Sequence, residues 1–141
     1  MKISAKIDYA CRALIELSLH WPNTVPLQIN IIAERQKIPI KFLTHILINL
    51  KQLGYVDSVR GKNGGYLSSK APKDIKLSDL IIRFGGLASM SKDVRSIKKV
   101  HILDAIWQEL DEAIIRKLDE LNFEKICDRV RSQNRTVVFD I

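Results

Sequence analysis

The chain has 141 residues, 46% of them hydrophobic, and a formal net charge of +7 at pH 7. That is enough for one domain, or a small domain with a helical extension, to bury a core without disulfide or metal. Its two cysteines, Cys11 and Cys127, lie far apart in no metal-type spacing, no apolar run reaches the length of a membrane span, and the N-terminus enters an amphipathic pattern containing Asp8 and Glu16; these features argue for a reducing compartment, against structural zinc, span or signal peptide, and for a cytoplasmic protein.

Ser4 is placed to cap a first helix whose narrow apolar face is Ala10, Ala13, Leu14 and Leu17, and the helix should end before Pro22. Cys11 falls at helical spacing from Ile7, Leu14 and Ile15, which suits a packed thiol more than a reactive one. After a loop at residues 23–26, a second helix over 28–36 is expected to bury Ile29, Ile32 and Ala33. The tight connection at 37–39 leads straight into a third helix, with Pro39 near its first turn, so the pair reads as a helix-turn-helix.

In that third helix Leu43, Ile46, Leu47, Leu50 and Leu53 recur at steps of three and four and must dock on a core. Lys41, Thr44, His45, Ile48, Lys51 and Gln52 are left facing outward, able to meet phosphates or base edges; Ile48 could touch a thymine methyl or cover a neighbouring helix. Gly54 fits the left-handed residue that ends a helix. Residues 55–60 and 65–70 then form a β-hairpin, and its tip sets Arg60 and Lys62 among glycines. Such a tip suits a wing along a DNA backbone with an arginine in a narrow minor groove, although a helix and hairpin of an ordinary α+β domain would share the pattern.

Beyond the hairpin, a Pro-containing loop at 71–74 precedes a short helix over 75–84 with Leu77, Leu80, Ile81 and Phe84 inward, ended by Gly85 and Gly86. Residues 87–99 lack periodicity and read as a loop. Leu103, Ile106, Trp107, Leu110, Ile114, Leu118 and Leu121 then mark a long amphipathic helix. In so small a chain it can bury its stripe against a second copy, or fold back on its own domain. A last short helix over 123–131 places Ile126, Cys127 and Val130 on one side, and the tail TVVFDI is expected to pack as a strand or stay loose. Charge divides unevenly: residues 1–85 carry 13 Lys/Arg against 6 Asp/Glu, whereas 86–141 carry 10 of each. The excess belongs to the half holding the proposed reader, as expected of a phosphate-binding module.

The opening KISAKIDYACRALIELS, the segment IIAERQKIPIKFLTHILINLKQLGY and above all VRGKNGGY resemble the IscR/NsrR/CymR family of winged-helix bacterial transcription regulators over nearly the whole chain. The resemblance implies a mostly α fold with a small β wing: a winged helix-turn-helix at 1–85, a loop at 86–98 matching the family's cluster-binding region, and a dimerisation helix and tail at 99–141. It further implies a homodimer on an imperfect palindrome of double-stranded DNA, with base or backbone contacts from Lys41, Phe42, Thr44 and His45 and a minor-groove contact from Arg60. Lys51 and Lys62 join these as expected DNA contacts, and Leu103, Ile106, Trp107, Leu110, Ile114 and Leu118 as dimer contacts. Family members often carry Ser-Tyr where Lys41-Phe42 stands and Glu-Gln where Thr44-His45 stands.

Many relatives hold an iron-sulfur cluster through three cysteines in the loop before the long helix and its first turn. The matching stretch, GGLASMSKDVRSIKKVHILDAIW, contains none, so no cofactor and no metal ligand are expected. His101 and Asp104 fall near the family's ligand positions and could join Cys11 or another residue of the partner subunit in holding, and so sensing, a metal or an unusual cluster; the plainer reading is a surface pair at a helix start. The signal would then be a small ligand between reader and long helix, a thiol event at Cys11 or Cys127, or the protein's own abundance. An enzyme is disfavoured, because His20, His45 and His101 are scattered and no phosphate loop or nucleophile elbow occurs. A winged helix that binds protein instead of DNA is disfavoured by the lopsided charge.

Overall fold

The computed structural model describes residues 3–22, 24–86 and 101–139. Helix α1 (Ala5–Leu19) starts where expected, the Ser4 hydroxyl accepting the Ile7 N–H at 3.3 Å. Helix α2 (Ile29–Gln36) ends at Lys37 in the left-handed region, φ 53°, and Pro39 then caps α3 (Ile40–Gln52). A left-handed residue reverses the chain within one position, so α2 and α3 form a tight helix-turn-helix. Glu16 on α1 is buried and accepts from Arg35 at 3.1 Å and from Gln36 at 3.2 Å, which fastens α2 to α1. A carboxylate out of water needs such partners.

The core sits between α1 and α3. Leu43, Ile46, Leu47 and Leu50 are buried against Ala10, Ala13, Leu14 and Leu17, joined by Ile32, Ala33, Tyr55 and Phe123. Alanines on α1 let the two helices approach closely, and each buried leucine is worth about 1.5–3 kcal/mol relative to exposure. Helix α3 ends as the glycine suggested. The Tyr55 N–H reaches the Leu50 carbonyl at 2.9 Å and Gly54 N–H the Lys51 carbonyl at 3.1 Å, with Gly54 at φ 85°. This paired closure turns the chain directly into strand β1.

Strands β1 (Val56–Val59) and β2 (Gly65–Ser68) pair antiparallel, Val56 opposite Ser68 and Val59 opposite Gly65. One pairing has no sequence signal: Leu27, in the approach to α2, exchanges backbone hydrogen bonds with Tyr66 at 2.9 and 2.8 Å. A Cβ on Gly65 would lie 2.2 Å from the Leu27 carbonyl oxygen, so the bare backbone there is what admits this neighbour.

A 3₁₀ turn (Pro72–Asp74) precedes α4 (Leu77–Arg83), where Leu80 and Ile81 are buried. The expected loop at 87–99 lies outside the described residues. Helix α5 (Ile102–Asp119) is anchored at its C-terminal end: Leu118 packs with Ile7 and Ile81, and the Ser78 hydroxyl donates to the Asp119 carboxylate at 2.5 Å. Helix α6 (Phe123–Phe139) returns to α1, with Phe123 in the core and the Cys127 thiol directed at the Ile15 carbonyl, 3.9 Å away. The last helix is therefore longer than expected, and the segment TVVF, read as strand or loose tail, is helical. Residues 123–139 contain neither Gly nor Pro. β-Branched residues cost a helix only tenths of a kcal/mol each, too little to stop one already packed on a core.

Gly65→Ala is expected to cost at least about 2 kcal/mol in urea unfolding, because backbone must move. Gly54→Ala has open space and only its left-handed backbone to strain, roughly 1–2 kcal/mol. Equal losses would mean that the Leu27 pairing does not constrain the hairpin.

Candidate nucleic-acid interface

Docking one face of α3 forces the opposite face outward, and Lys41, Thr44, His45, Ile48, Lys51 and Gln52 are all exposed there. The hairpin follows this helix directly, after Gly54. Phe42 sits at the edge of this face, 57% exposed, its ring centroid 6.3 Å from that of Tyr9 on α1. Not every side chain is poised as the sequence suggested. The Thr44 hydroxyl donates to the Ile40 carbonyl at 2.9 Å, so its proton is already committed within the helix. Lys51 donates to Ser58 Oγ at 2.5 Å, linking the last turn of α3 to the hairpin.

At the tip, Arg60, Gly61, Lys62 and Asn63 are exposed. A Cβ on Gly64 would meet the Val59 carbonyl oxygen at 2.2 Å, and Gly64 N–H closes on the Gly61 carbonyl at 3.0 Å. The glycines of the motif thus fold the tip tightly and leave its two cations projecting. Among the described residues, Lys41, Arg60 and Lys62 have no carboxylate partner. Residues 38–70 hold five Lys/Arg and one acid, Asp57, so the surface is positive.

The root of the hairpin is fixed by groups that the sequence did not single out. Buried Tyr55 donates its hydroxyl to Asp79, which also pairs with Arg83 at 3.3 Å, while Arg83 donates to the Leu53 carbonyl at 3.2 Å. Lys70 and Arg83 each lie over the Tyr55 ring, 5.1 and 5.7 Å from its centre. Burial first, then the bond to Asp79, pushes the Tyr55 hydroxyl well above its ordinary range; that bond in turn holds the Asp79 carboxyl low. The end of the reading helix, the hairpin and α4 are therefore one unit. Beside it an open cleft of about 220 Å³ is lined by Lys6, Asn49, Gln52, Leu53, Arg83 and Phe84.

Helix α5 presents a different surface. Ile102, Leu103, Ile106, Trp107, Leu110 and Ile115 are 37–71% exposed, Ile114 is partly covered and Leu118 is buried. Its start is a reciprocal cap, unforeseen in the sequence: His101 Nδ1 accepts the Leu103 N–H at 3.2 Å and the Asp104 carboxylate accepts the His101 N–H at 3.1 Å. No helix among the described residues is long and apolar enough to cross a membrane.

A family model described as Rrf2, iron-dependent transcriptional regulator, matches residues 3–129. An rrf2-like protein of Rhodobacter capsulatus named as an HTH-type transcriptional regulator is 43% identical over 86 residues; the match spans 60% of this chain and only 57% of that one. A second protein named as such a regulator, slr0846 of Synechocystis sp., is 30% identical over 94% of this chain and 91% of its own length. The solved structure of T. potens IscR superposes with a TM-score of 0.78 at 28% identity, covering 92% of this chain and 88% of that one.

The description of the family raises iron, and the donors here do not fit a cluster held by three cysteines. Cys11 and Cys127 are the only cysteines in the sequence. Cys127 is buried beside Ile15, and burial, reinforced by Asp8, pushes the half-buried Cys11 thiol from about 9 up to about 12. His101 and Asp104 spend donor atoms on the α5 cap, and no group of three His, Cys, Asp or Glu suited to a metal occurs among the described residues.

A thiol held protonated to about 12 reacts slowly, since the thiolate is the nucleophile. At pH 8 the folded protein should therefore resist an aromatic disulfide reagent at both cysteines, and urea should release two fast equivalents. Because the folded thiol ionises later than the unfolded one, stability should also fall as pH rises above about 9. Rapid labelling of Cys11 in the folded protein would contradict this picture.

Proposed function

Since the chain belongs to the Rrf2 family of winged-helix, DNA-binding transcriptional regulators, and not to an enzyme family, we propose that it acts in the cytoplasm as a homodimer on a pseudo-palindromic operator, without an iron-sulfur cluster. The observation that carries the proposal is the joint exposure of the cationic α3 face and the Arg60–Lys62 tip on one rigid unit. In this reading α3 enters the major groove, where Lys41, Phe42 and His45 meet bases or flanking phosphates. Arg60 enters the adjacent minor groove, and Lys51 and Lys62 neutralise backbone.

The homodimer rests on α5. An apolar stripe left that open among the described residues is expensive in water, and a second α5 supplies the same stripe in return. Two readers joined this way would address half-sites about 34–36 Å apart, or a multiple of one turn. For a cluster-free regulator the signal is best sought in the cleft beside Arg83. Its lining of two cations and two carboxamides suits a small anion, and Arg83 holds both the end of α3 and Asp79.

Several measurements check these assignments. With operators selected from random DNA, Lys62→Ala should weaken every sequence alike and lower the salt slope by roughly one unit. Arg60→Ala should cost most at sites with A·T-rich flanks. Leu110→Lys with Ile114→Lys should sediment as a monomer and bind DNA far more weakly; a double variant that stays dimeric would displace the interface from α5. Protein purified without oxygen should be colourless, and stoichiometric iron and sulfide would overturn the cluster-free reading.

A further inference from the structure

The reading face carries an apolar spot. Ile48 is 46% exposed in the middle of α3. Thr44 and His45 lie one turn before it, Lys51 and Gln52 one turn after, and all four are exposed. The exposed part of an isoleucine that stands among polar residues on a positive surface gains when a partner covers it. Thr44 adds to the spot: with its hydroxyl proton given to the Ile40 carbonyl, it donates to a base only by breaking that bond, so its methyl group is the cheaper thing to offer.

On the DNA-binding reading above, on which this inference rests, the covering partner must be found on the floor of the major groove. The one apolar group displayed there by a natural base pair is the C5 methyl of thymine. We propose that Ile48 and the methyl of Thr44 form a thymine-methyl reading patch, so that each half-site carries a thymine facing this turn of α3. Specificity at that position comes from apolar contact, while His45 between the two supplies a hydrogen bond to a neighbouring base edge. Placing Ile48 among polar residues on a positive surface also explains how an apolar residue serves here without inviting association of the readers with one another.

Deoxyuridine differs from thymidine only in lacking the C5 methyl, which makes it the probe. Operators are first selected from random duplexes with the full-length protein, and each thymine of a half-site is then replaced singly by deoxyuridine. The expected result is a loss of affinity at one or two adjacent positions, on the order of fourfold per methyl, with the other thymines indifferent. In Ile48→Ala the penalty at those positions should vanish while binding persists. Ile48→Val, which keeps a branched apolar tip, should retain part of it. Thr44→Val should keep the penalty, and Thr44→Ser should reduce it. If selected operators bind tightly and no position responds to deoxyuridine, the patch does not exist although the regulator does. If no duplex is enriched at all, the DNA-binding reading itself fails.

Discussion

Burial of Leu43, Ile46, Leu47 and Leu50 on the small-residue face of α1 is the constraint from which the remaining geometry follows. A helix with one face locked into a core has a fixed rotation about its own axis, so its outer residues are determined without any contact of their own. The same leucines set where α3 stops, because the Leu50 carbonyl receives the Tyr55 N–H across Gly54. Tyr55 then enters the core, and from it hang β1, the cationic tip and the link to α4 through Asp79 and Arg83. Helix α3 and the hairpin therefore share one rigid root, as their proposed entry into neighbouring grooves requires.

Most of this was legible in the sequence because its signals are local. Helical periodicity of leucines, Ser4 at a cap, Gly54 at a stop and VRGKNGGY at a tip each depend on neighbours within a few residues. What was not legible depends on distant partners. Leu27 pairs with Tyr66 across 39 positions, and only the backbone collision at Gly65 betrays it. The length of α6 was missed because TVVF has strand-like composition, yet α6 begins on Phe123 in the core, and a helix so seeded propagates until something breaks it. Thr44 was placed correctly on the outer face, but its hydroxyl turned back to Ile40, a choice that spacing does not encode.

The two halves of the chain answer different physical demands. Residues 1–85 hold the positive excess and bury most of their apolar residues in one interior, although Ile40, Phe42 and Ile48 on α3 and Val59 beside the tip stay exposed. Residues 86–141 are charge-balanced, and within them helix α5 carries much of its apolar surface outside, from Ile102 to Leu110. A surface of the first kind seeks phosphates and loosens in salt; one of the second kind seeks hydrocarbon and does not. His101 and Asp104 also do structural work at the start of α5, where each accepts a backbone N–H and so caps the helix.

Hydroxyl-radical footprinting of the full-length protein on a selected operator tests the arrangement most directly, since it reads groove and symmetry together. The expected pattern is two-fold symmetric protection on one side of the duplex, with inner patches flanking two major-groove segments about one helical turn or a multiple apart and minor-groove patches beside each that disappear in Arg60→Ala. A single unsymmetrical patch, or minor-groove protection that survives loss of Arg60, would contradict a paired reader whose wing carries the arginine.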